Sequence, residues 1–246
     1  MRYLIFTDIH GNLESFLGLL RFVRRRKIDH YIFLGDLVGY GASPNETIQL
    51  FKTLKPISKI RGNHDKAVCG FDTVQSFNPV AASGILWTKH HILKKNLNFL
   101  SRFQKGPRVI DNHITLCHGA PFDEDHYIFG EFDAAEAFFH IKTPIALFGH
   151  THFPFIYTQK DQTVEGMFLT DNYFELTLEK DKRYLINPGS VGQPRDRNPL
   201  AACSIYNSKT RKIQFYRFEY DIEEAQRKIL ETDLPASLSE RLALGI

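Results

Sequence analysis

Histidine, aspartate and asparagine recur in this 246-residue chain at one kind of place, the end of a short apolar run. Asp8 and His10 follow "RYLIF", Asp36 follows "HYIFLG", and Asn63 with His64 follows "ISKIRG". His118 follows "ITLC", and His150 with His152 follows "PIALFG". Imidazole, carboxylate and amide oxygen, with no thiolate among them, suit divalent Mn, Fe, Zn, Ni or Co better than soft metals. Asp8, His10, Asp36, Asn63, His118, His150 and His152 are too many ligands for one tetrahedral ion. They suit two ions roughly 3.5–4 Å apart that share a carboxylate, and Asp36, central in the set, is the natural bridge. Each residue alone has a plainer reading. Asp8 alone would cap the following helix, His10 or His118 alone would be a hydrogen-bonded loop histidine, and Asn63 alone a turn residue. For the set as a whole, coincidence is a poor explanation. His90, His91, His113 and His126 lack both the strand-end setting and a motif, and read as ordinary histidines.

The elements that must carry this set read as a layered α/β protein. In open α/β sheets, ligands gather outside the carboxyl ends of the strands, where loops from distant parts of the chain meet. The first 65 residues alternate strand, helix, strand, helix, strand, the pattern of a mostly parallel sheet. Leu13 to Arg26 has apolar residues at helical spacing, and "PNETIQLFKTL" reads as a helix with Pro44 near its start. "ISKIRGNHD" reads as a third strand running into a polar loop. Residues 78–104 look helical, with a break near His90 and His91. After them the chain looks predominantly β, in short segments such as "PIALFGHTHFPFIYTQ", "RYLINPGS" and "KIQFYRFEY" separated by turn residues. From Asp221 two short helices are expected, broken at Asp233–Leu234–Pro235. No repeat, low-complexity tract or linker divides the chain. The expectation is therefore one domain, 1–246, with a C-terminal helical segment at 221–246 and two packed sheets flanked by helices.

Composition agrees with such a domain and excludes several alternatives. Hydrophobic residues make up 43% and the net charge is +3, with acids and bases interspersed. That is no strong demand for nucleic acid or membrane. The basic run Arg24–Arg25–Arg26–Lys27 ends a helical pattern, where cations favour the helix C-terminus. Three cysteines, Cys69, Cys117 and Cys203, share no short spacing, which argues against a disulfide framework and fits a reducing compartment. "MRYLIFTD" is already a strand rather than a leader, and no apolar run approaches the roughly 20 residues of a membrane helix. The sequon at Asn45 is then coincidental, and the expected location is the cytoplasm.

Five ordered blocks, "DIHGN" (8–12), "GDLVGYG" (35–41), "GNHD" (62–65), "CHGAP" (117–121) and "GHTH" (149–152), resemble the signature of the calcineurin-like metallophosphoesterase superfamily. The resemblance spans at least residues 1–195, and five blocks in order are far more specific than any single short motif. It implies a four-layer α/β/β/α sandwich with two mixed sheets and a dinuclear metal site at the strand ends. It also implies that Asp8, His10, Asp36 and His152 hold one metal, and Asp36, Asn63, His118 and His150 the other. Two divalent ions, Mn²⁺ first among the candidates, would lower the pKa of a bridging water and stabilise an in-line displacement at phosphorus. His64 is the matching proton donor to the leaving group. His150 and His152 should face different metals, with Thr151 between them pointing away as on an extended chain.

The same resemblance narrows the substrate. "GDLVGYG" departs from the G-D-x-V-D-R-G of the phosphoprotein phosphatases: Gly39 replaces the acid that pairs with the catalytic histidine, and Tyr40 replaces a phosphate-binding arginine. Without that arginine a dianionic phosphomonoester loses a bidentate partner. What orients His64 is then open; Asp65 is adjacent in sequence only. "GYGASPNE" (39–46), "NPGSVGQPRD" (187–196) and the "YDIEEA…LP…L" ending resemble a bacterial branch of predicted phosphodiesterases. That branch is associated with phosphodiesters and with dinucleoside polyphosphates such as diadenosine tetraphosphate. The Gly and Pro residues of 187–194 should shape a tight turn near the metals. Arg195 would hold a distal phosphate, or else pair with Asp196 at the surface; Tyr40 would stack on a base or gate the pocket, or else simply pack. The leading expectation is a dinuclear metal-dependent phosphodiesterase or nucleotide pyrophosphohydrolase acting on a small-molecule phosphoester through a metal-bridging hydroxide. The alternatives are a non-catalytic scaffold of the same fold, a phosphomonoesterase or phosphoprotein phosphatase, and, with the least support, a nuclease.

Overall fold

The computed structural model describes residues 1–246 and contains two six-stranded mixed sheets. Along the chain, β1 (Arg2–Phe6), α1 (Leu13–Val23), β2 (His30–Phe33), α2 (Pro44–Phe51) and β3 (Ile57–Lys59) form the expected alternation. Three helices follow, α3 (Asn63–Val68), α4 (Pro79–His91) and α5 (Lys94–Leu100). Next come β4 (Arg108–Ile110), β5 (Ile114–Leu116), α6 (Glu131–His140), β6 (Ile145–Leu147), β7 (Pro154–Lys160) and β8 (Thr163–Phe168). The chain closes with β9 (Tyr173–Thr177), β10 (Arg183–Pro188), β11 (Ala201–Asn207), β12 (Lys212–Phe218), α7 (Ile222–Leu230) and α8 (Ser237–Leu244). The first sheet runs β3-β2-β1-β11-β12-β9, and the second β4-β5-β6-β10-β7-β8. β1, β2 and β3 are parallel, as are β5, β6 and β10.

Strand alternation explains why there are four layers. Successive side chains on a strand face opposite ways, so a strand apolar throughout has two faces to bury. On β1, Tyr3 and Ile5 enter a core between the two sheets, where they join Ile114, Leu116, Ile145, Leu147 and Ile186 of the second sheet. Leu4 and Phe6 enter the opposite core, which α1, α2, α7 and α8 cover through Phe16, Leu19, Ile48, Phe51, Ile229 and Leu238. On the second sheet, Ala146 and Leu185 face outward onto Ala134, Ala137 and Phe138 of α6. The result is the α/β/β/α sandwich. Because parallel strands must all point one way, β1, β2, β5 and β6 deliver their C-terminal loops to a common edge, each of them on a different side chain of the expected site.

Two element readings need correction. The segment 60–65 does not end in a polar loop: Asn63 opens α3, so Asn63 and His64 stand on the first turn of a helix. The second half is also less purely β than expected, since α6 covers the outer face of the second sheet. Its largest apolar residues mislead. Phe132 and Phe139 are 94% and 86% exposed, while Ala134, Ala137 and Phe138 do the packing. With two of its three phenylalanines in solvent and two alanines in the core, the helical period is hard to see in the sequence.

Candidate metal centre

The structure brings Asp8, His10, Asp36, Asn63, His118, His150 and His152 to one buried cluster, and His64 to its edge. The loops that carry them are laced together by backbone hydrogen bonds. The amide of Asp8 donates to the Gly35 carbonyl at 3.0 Å, that of His10 to Asp36 at 2.9 Å, and that of Gly149 to His118 at 2.8 Å. Asn12, just after the first motif, caps α1 by accepting from the Ser15 amide and donates through Nδ2 to Gly192. The 187–196 segment then closes over Asp8: the Gly192 amide donates to the Asp8 carbonyl at 2.8 Å, and Ser190 Oγ donates to the same oxygen at 2.9 Å.

The backbone here is unusual. Asp8, His10, Asp36, His150 and His152 all have φ between 54° and 66°, the left-handed region. Such a conformation costs a non-glycine residue on the order of 1 kcal/mol or more. Five such residues at one cluster are retained only because the surrounding hydrogen bonds enforce them. The "GHTH" segment is thus a pair of left-handed turns and not an extended strand. Thr151 does turn away, accepting from Asn187 Nδ2 at 3.0 Å, but the cause is this turn geometry and not strand alternation.

Each imidazole is aimed by its second nitrogen. Nδ1 of His10 lies 3.2 Å from the Val38 carbonyl, Nδ1 of His118 2.8 Å from Leu34, and Nδ1 of His152 2.5 Å from Gln193. A carbonyl can only accept, so Nδ1 carries the hydrogen in each, and in neutral His10 and His152 Nε2 presents its lone pair inward. His150 is reversed: Nε2 donates to the Asp125 carbonyl at 3.1 Å, which leaves Nδ1 free. Asp36 sits in the middle. Its Oδ2 is 3.6 Å from His10 Nε2 and 3.3 Å from His118 Nε2, while Oδ1 accepts from the His64 amide at 2.9 Å. His118 Nε2 is 3.0 Å from Asn63 Oδ1, and His152 Nε2 is 3.5 Å from Asp8 Oδ1.

These atoms fit divalent metal. Asp8 Oδ1 is buried without any hydrogen-bond donor, and the Nε2 atoms of His10 and His152 face each other at 3.1 Å. A cation between them would satisfy all three. Burial lowers the pKa of His10, His150 and His152 well below that of a free imidazole, so they are neutral and available as ligands. Burial raises Asp8 to about 7 against the opposing charge of His118; its Oδ2 accepts from the His150 amide at 3.2 Å, and only Oδ1 lacks a donor. For His118, burial works against the charged form, but Asp36 outweighs it and raises the pKa to about 10.

His64 stands apart from the ligand pairs and is held by shape. Its Nδ1 is buried without a partner. The ring packs 4.4 Å from that of Tyr40, 4.8 Å from His10 and 5.2 Å from Phe77, measured between centroids. Asp65 does not orient it. That carboxylate accepts from the amides of Asp36, Leu37, Val38 and Gly62 and so fixes the Asp36 loop. Gly39 takes the place of an acid for a steric reason: a Cβ there would lie 2.3 Å from His64 Nδ1.

Arg195 does not pair with Asp196, whose carboxylate is taken by Arg217. It donates instead to the Tyr40 hydroxyl at 3.3 Å and to Gln193 Oε1 at 3.1 Å. Beside the cluster lies a cleft of about 350 Å³ lined by Tyr40, Asn63, His64, Phe77, Tyr127 and His150. Several contributors were not legible as site residues. Gln193 and Asp125 act through backbone carbonyls, which no side-chain pattern reveals. Tyr127 stacks 3.9 Å from the His150 ring and Phe77 packs on His64; as lone aromatics in loops they carry no motif. His90, His91, His113 and His126 lie outside the cluster.

Comparison with known proteins agrees with the fold and the site. A family model described as calcineurin-like phosphoesterase matches residues 1–154. Protein MJ0912 of Methanocaldococcus jannaschii is 39% identical over 248 residues, covering 98% of this chain and 97% of its own. A crystal structure of a metallophosphoesterase from Sphaerobacter thermophilus is 35% identical with a TM-score of 0.86, covering 100% of this chain and 99% of that one. Protein PH1004 from Pyrococcus horikoshii OT3, at 18% identity and TM-score 0.79 over 100% and 98% of the two chains, shares the fold. The chain belongs to the calcineurin-like phosphoesterase family. Membership places it among the phosphoester hydrolases, and its buried His and Asp cluster fits a divalent metal site.

Proposed function

We propose that this protein is a dinuclear metal-dependent hydrolase of phosphodiester or phosphoanhydride bonds in small molecules, dinucleoside polyphosphates among them. The observation that carries this reading is Asp36 Oδ2, poised between His10 and His118, one residue from each ligand set. Asp8, His10, Asp36 and His152 would hold one ion, and Asp36, Asn63, His118 and His150 the other, with Mn²⁺ the first candidate and Fe, Zn, Ni or Co the others. Bound there, two divalent ions supply an activated water and positive charge for the phosphoryl oxygens.

The chain's own residues do the rest. His64 Nδ1 is turned against Gly39, which leaves Nε2 as the nitrogen able to face the cleft and give a proton to the leaving oxygen. Burial lowers the pKa of His64 to about 4, although Asp36 opposes it. An anionic phosphoryl group in the cleft favours the charged ring, so protonation is coupled to substrate binding. Tyr40 and Arg195 would border the substrate. Gly39 and Tyr40 argue against a phosphoprotein phosphatase: neither the acid nor the arginine of that class is present. The complete ligand set argues against a non-catalytic scaffold. We further propose that 1–246 acts as one domain, because Ile229, Leu238 and Leu242 of the C-terminal segment share the core of the first sheet. No helix is long and apolar enough to cross a membrane. Three free cysteines support a reducing, cytoplasmic setting.

The test is hydrolysis of bis-p-nitrophenyl phosphate and diadenosine tetraphosphate by protein supplied with each divalent metal in turn, with products identified. Turnover that depends on metal and is abolished by Asp36→Asn is expected. Failure with every metal would favour the scaffold, and fast phosphopeptide turnover would overturn the argument from Gly39 and Tyr40.

A further inference from the structure

Tyr40 neighbours two sets of residues. Its ring centre lies 4.5 Å from that of His10 and 4.4 Å from that of His64, in the candidate metal cluster. Two guanidinium groups, Arg195 and Arg241, also approach it, their central carbons each 5.9 Å from the ring centre. Arg241 is delivered by α8, so the C-terminal helix reaches the edge of the site. Neither arginine has an Asp or Glu partner. Arg195 donates to Tyr40 and Gln193 and leaves a buried Nε without an acceptor; Arg241 donates through Nε to the main-chain oxygen of Ile246, the last residue, at 2.8 Å, which leaves its two terminal nitrogens for another partner. Four other part-buried cations are neutralised, in the pairs Arg61–Glu124, Lys66–Asp125, Arg217–Asp196 and Lys228–Glu14. Two guanidiniums beside one ring, neither facing an Asp or Glu, repel each other. Arg241 has its pKa lowered first by burial and then by Arg195. An oxyanion with several oxygens would relieve both, since guanidinium presents a planar fork of donors matched to phosphate.

We infer that Arg195 and Arg241, set around Tyr40, form a subsite for a second phosphate group, which commits the enzyme to substrates carrying a phosphate chain. This rests on the hydrolase reading above and adds the class of substrate. Cleavage would occur at the metal side of Tyr40, while the next phosphate of the chain sits on the guanidiniums. An isolated phosphodiester would leave the subsite idle.

Two readouts test it. In metal-free protein, inorganic tripolyphosphate should bind more tightly than orthophosphate by calorimetry. Arg195→Gln and Arg241→Gln should each weaken tripolyphosphate by about 10- to 100-fold, the worth of a charge-assisted hydrogen bond. Arg241→Lys should recover part of the loss. Arg227→Gln, on the exposed face of α7 and paired with Glu224 and Glu231, should change nothing. In the metal-loaded enzyme, the ratio of kcat/KM for diadenosine tetraphosphate to that for bis-p-nitrophenyl phosphate should fall at least about tenfold in either Gln variant, through KM. Should Arg241→Gln fail to fold, Arg195→Gln and Arg241→Lys carry both readouts. Tripolyphosphate binding no tighter than orthophosphate, or an unchanged ratio in a folded variant, overturns the subsite; the arginines would then only clasp Tyr40 and α8. Absence of hydrolysis of either substrate with any metal would instead overturn the hydrolase reading itself, and the calorimetric result would still decide the subsite.

Discussion

Substitution of Gly39 by alanine probes the least expected feature of the site, the proposed proton donor His64 accommodated by the absence of a side chain at Gly39. The new Cβ would stand 2.3 Å from His64 Nδ1 and 2.8 Å from its Cγ, where ordinary contact begins near 3.4 Å. The imidazole must therefore retreat by about 1.1 Å. The loop cannot yield instead, because α4 is already in close contact: a Cβ on Gly84 would come 2.3 Å from the Gly39 carbonyl oxygen. Gly39 also has φ of +130°, a region closed to alanine without strain. Displacing a catalytic group by about 1 Å costs on the order of 10²-fold, and the backbone strain adds about 1–3 kcal/mol of destabilisation. For a chain of this size that is a fall in Tm of roughly 2–10 °C. The assay is kcat on two substrates, bis-p-nitrophenyl phosphate and an alkyl phosphodiester, with bound metal measured alongside. p-Nitrophenolate leaves readily without a proton and an alkoxide does not. Gly39→Ala should therefore lose about 10² on the alkyl ester, distinctly less on the aryl ester, and keep its metal. Equal losses on both substrates, or full activity on the alkyl ester, would refute the link between Gly39 and His64.

His64→Asn should keep metal binding while cutting turnover by about 10²–10⁴; an unchanged rate on an alkoxide-leaving substrate removes His64 from the mechanism. In metal-free protein, His118 has a folded pKa of about 10 against an ordinary 6.5, held up by Asp36 against the effect of burial. A raised pKa means stability that is full below pH 6.5 and lost as pH rises through about 10. The Tm should fall between pH 7 and 10, and His118→Asn should flatten that slope; parallel curves would contradict the pairing. Phe138→Ala removes the largest side chain that α6 buries against the second sheet. It should cost about 3–5 kcal/mol in denaturant unfolding, and a loss below about 1 kcal/mol would mean that α6 packs only loosely. Saturating divalent metal should raise the Tm of the native chain, because ligand bound only to the folded state stabilises it by mass action; no rise with any metal would oppose a metal site.

Local pattern carried much of the fold. β1 and β2 are apolar after their first residues and are followed closely by Asp8 and Asp36, and the break after His91 lies where α4 ends and α5 follows. Asn12 was legible only as part of a motif, yet it also caps α1 and ties that helix to Gly192. The failures share a cause. α6 hid because its buried face holds two alanines beside Phe138 while its other two phenylalanines face solvent. Asn63 was read into a loop because three helical residues at its start look like any polar turn.

The sequence alone determined which side chains could bind metal and that they sit at strand ends, because ligand chemistry is a property of residue type and parallel strands of a sheet share an edge. That the edges of the two sheets coincide was decided by the packing of one sheet on the other. Tertiary structure alone decided how each ligand is presented. The Nδ1 partners of His10, His118 and His152 are carbonyls of Val38, Leu34 and Gln193, and every residue has a carbonyl, so none is marked in the sequence. The placement of His64 by Gly39, Tyr40 and Phe77, and the meeting of Arg195 with Arg241 across 46 residues of chain, depend on packing between elements that are distant in sequence and touch only in the folded chain.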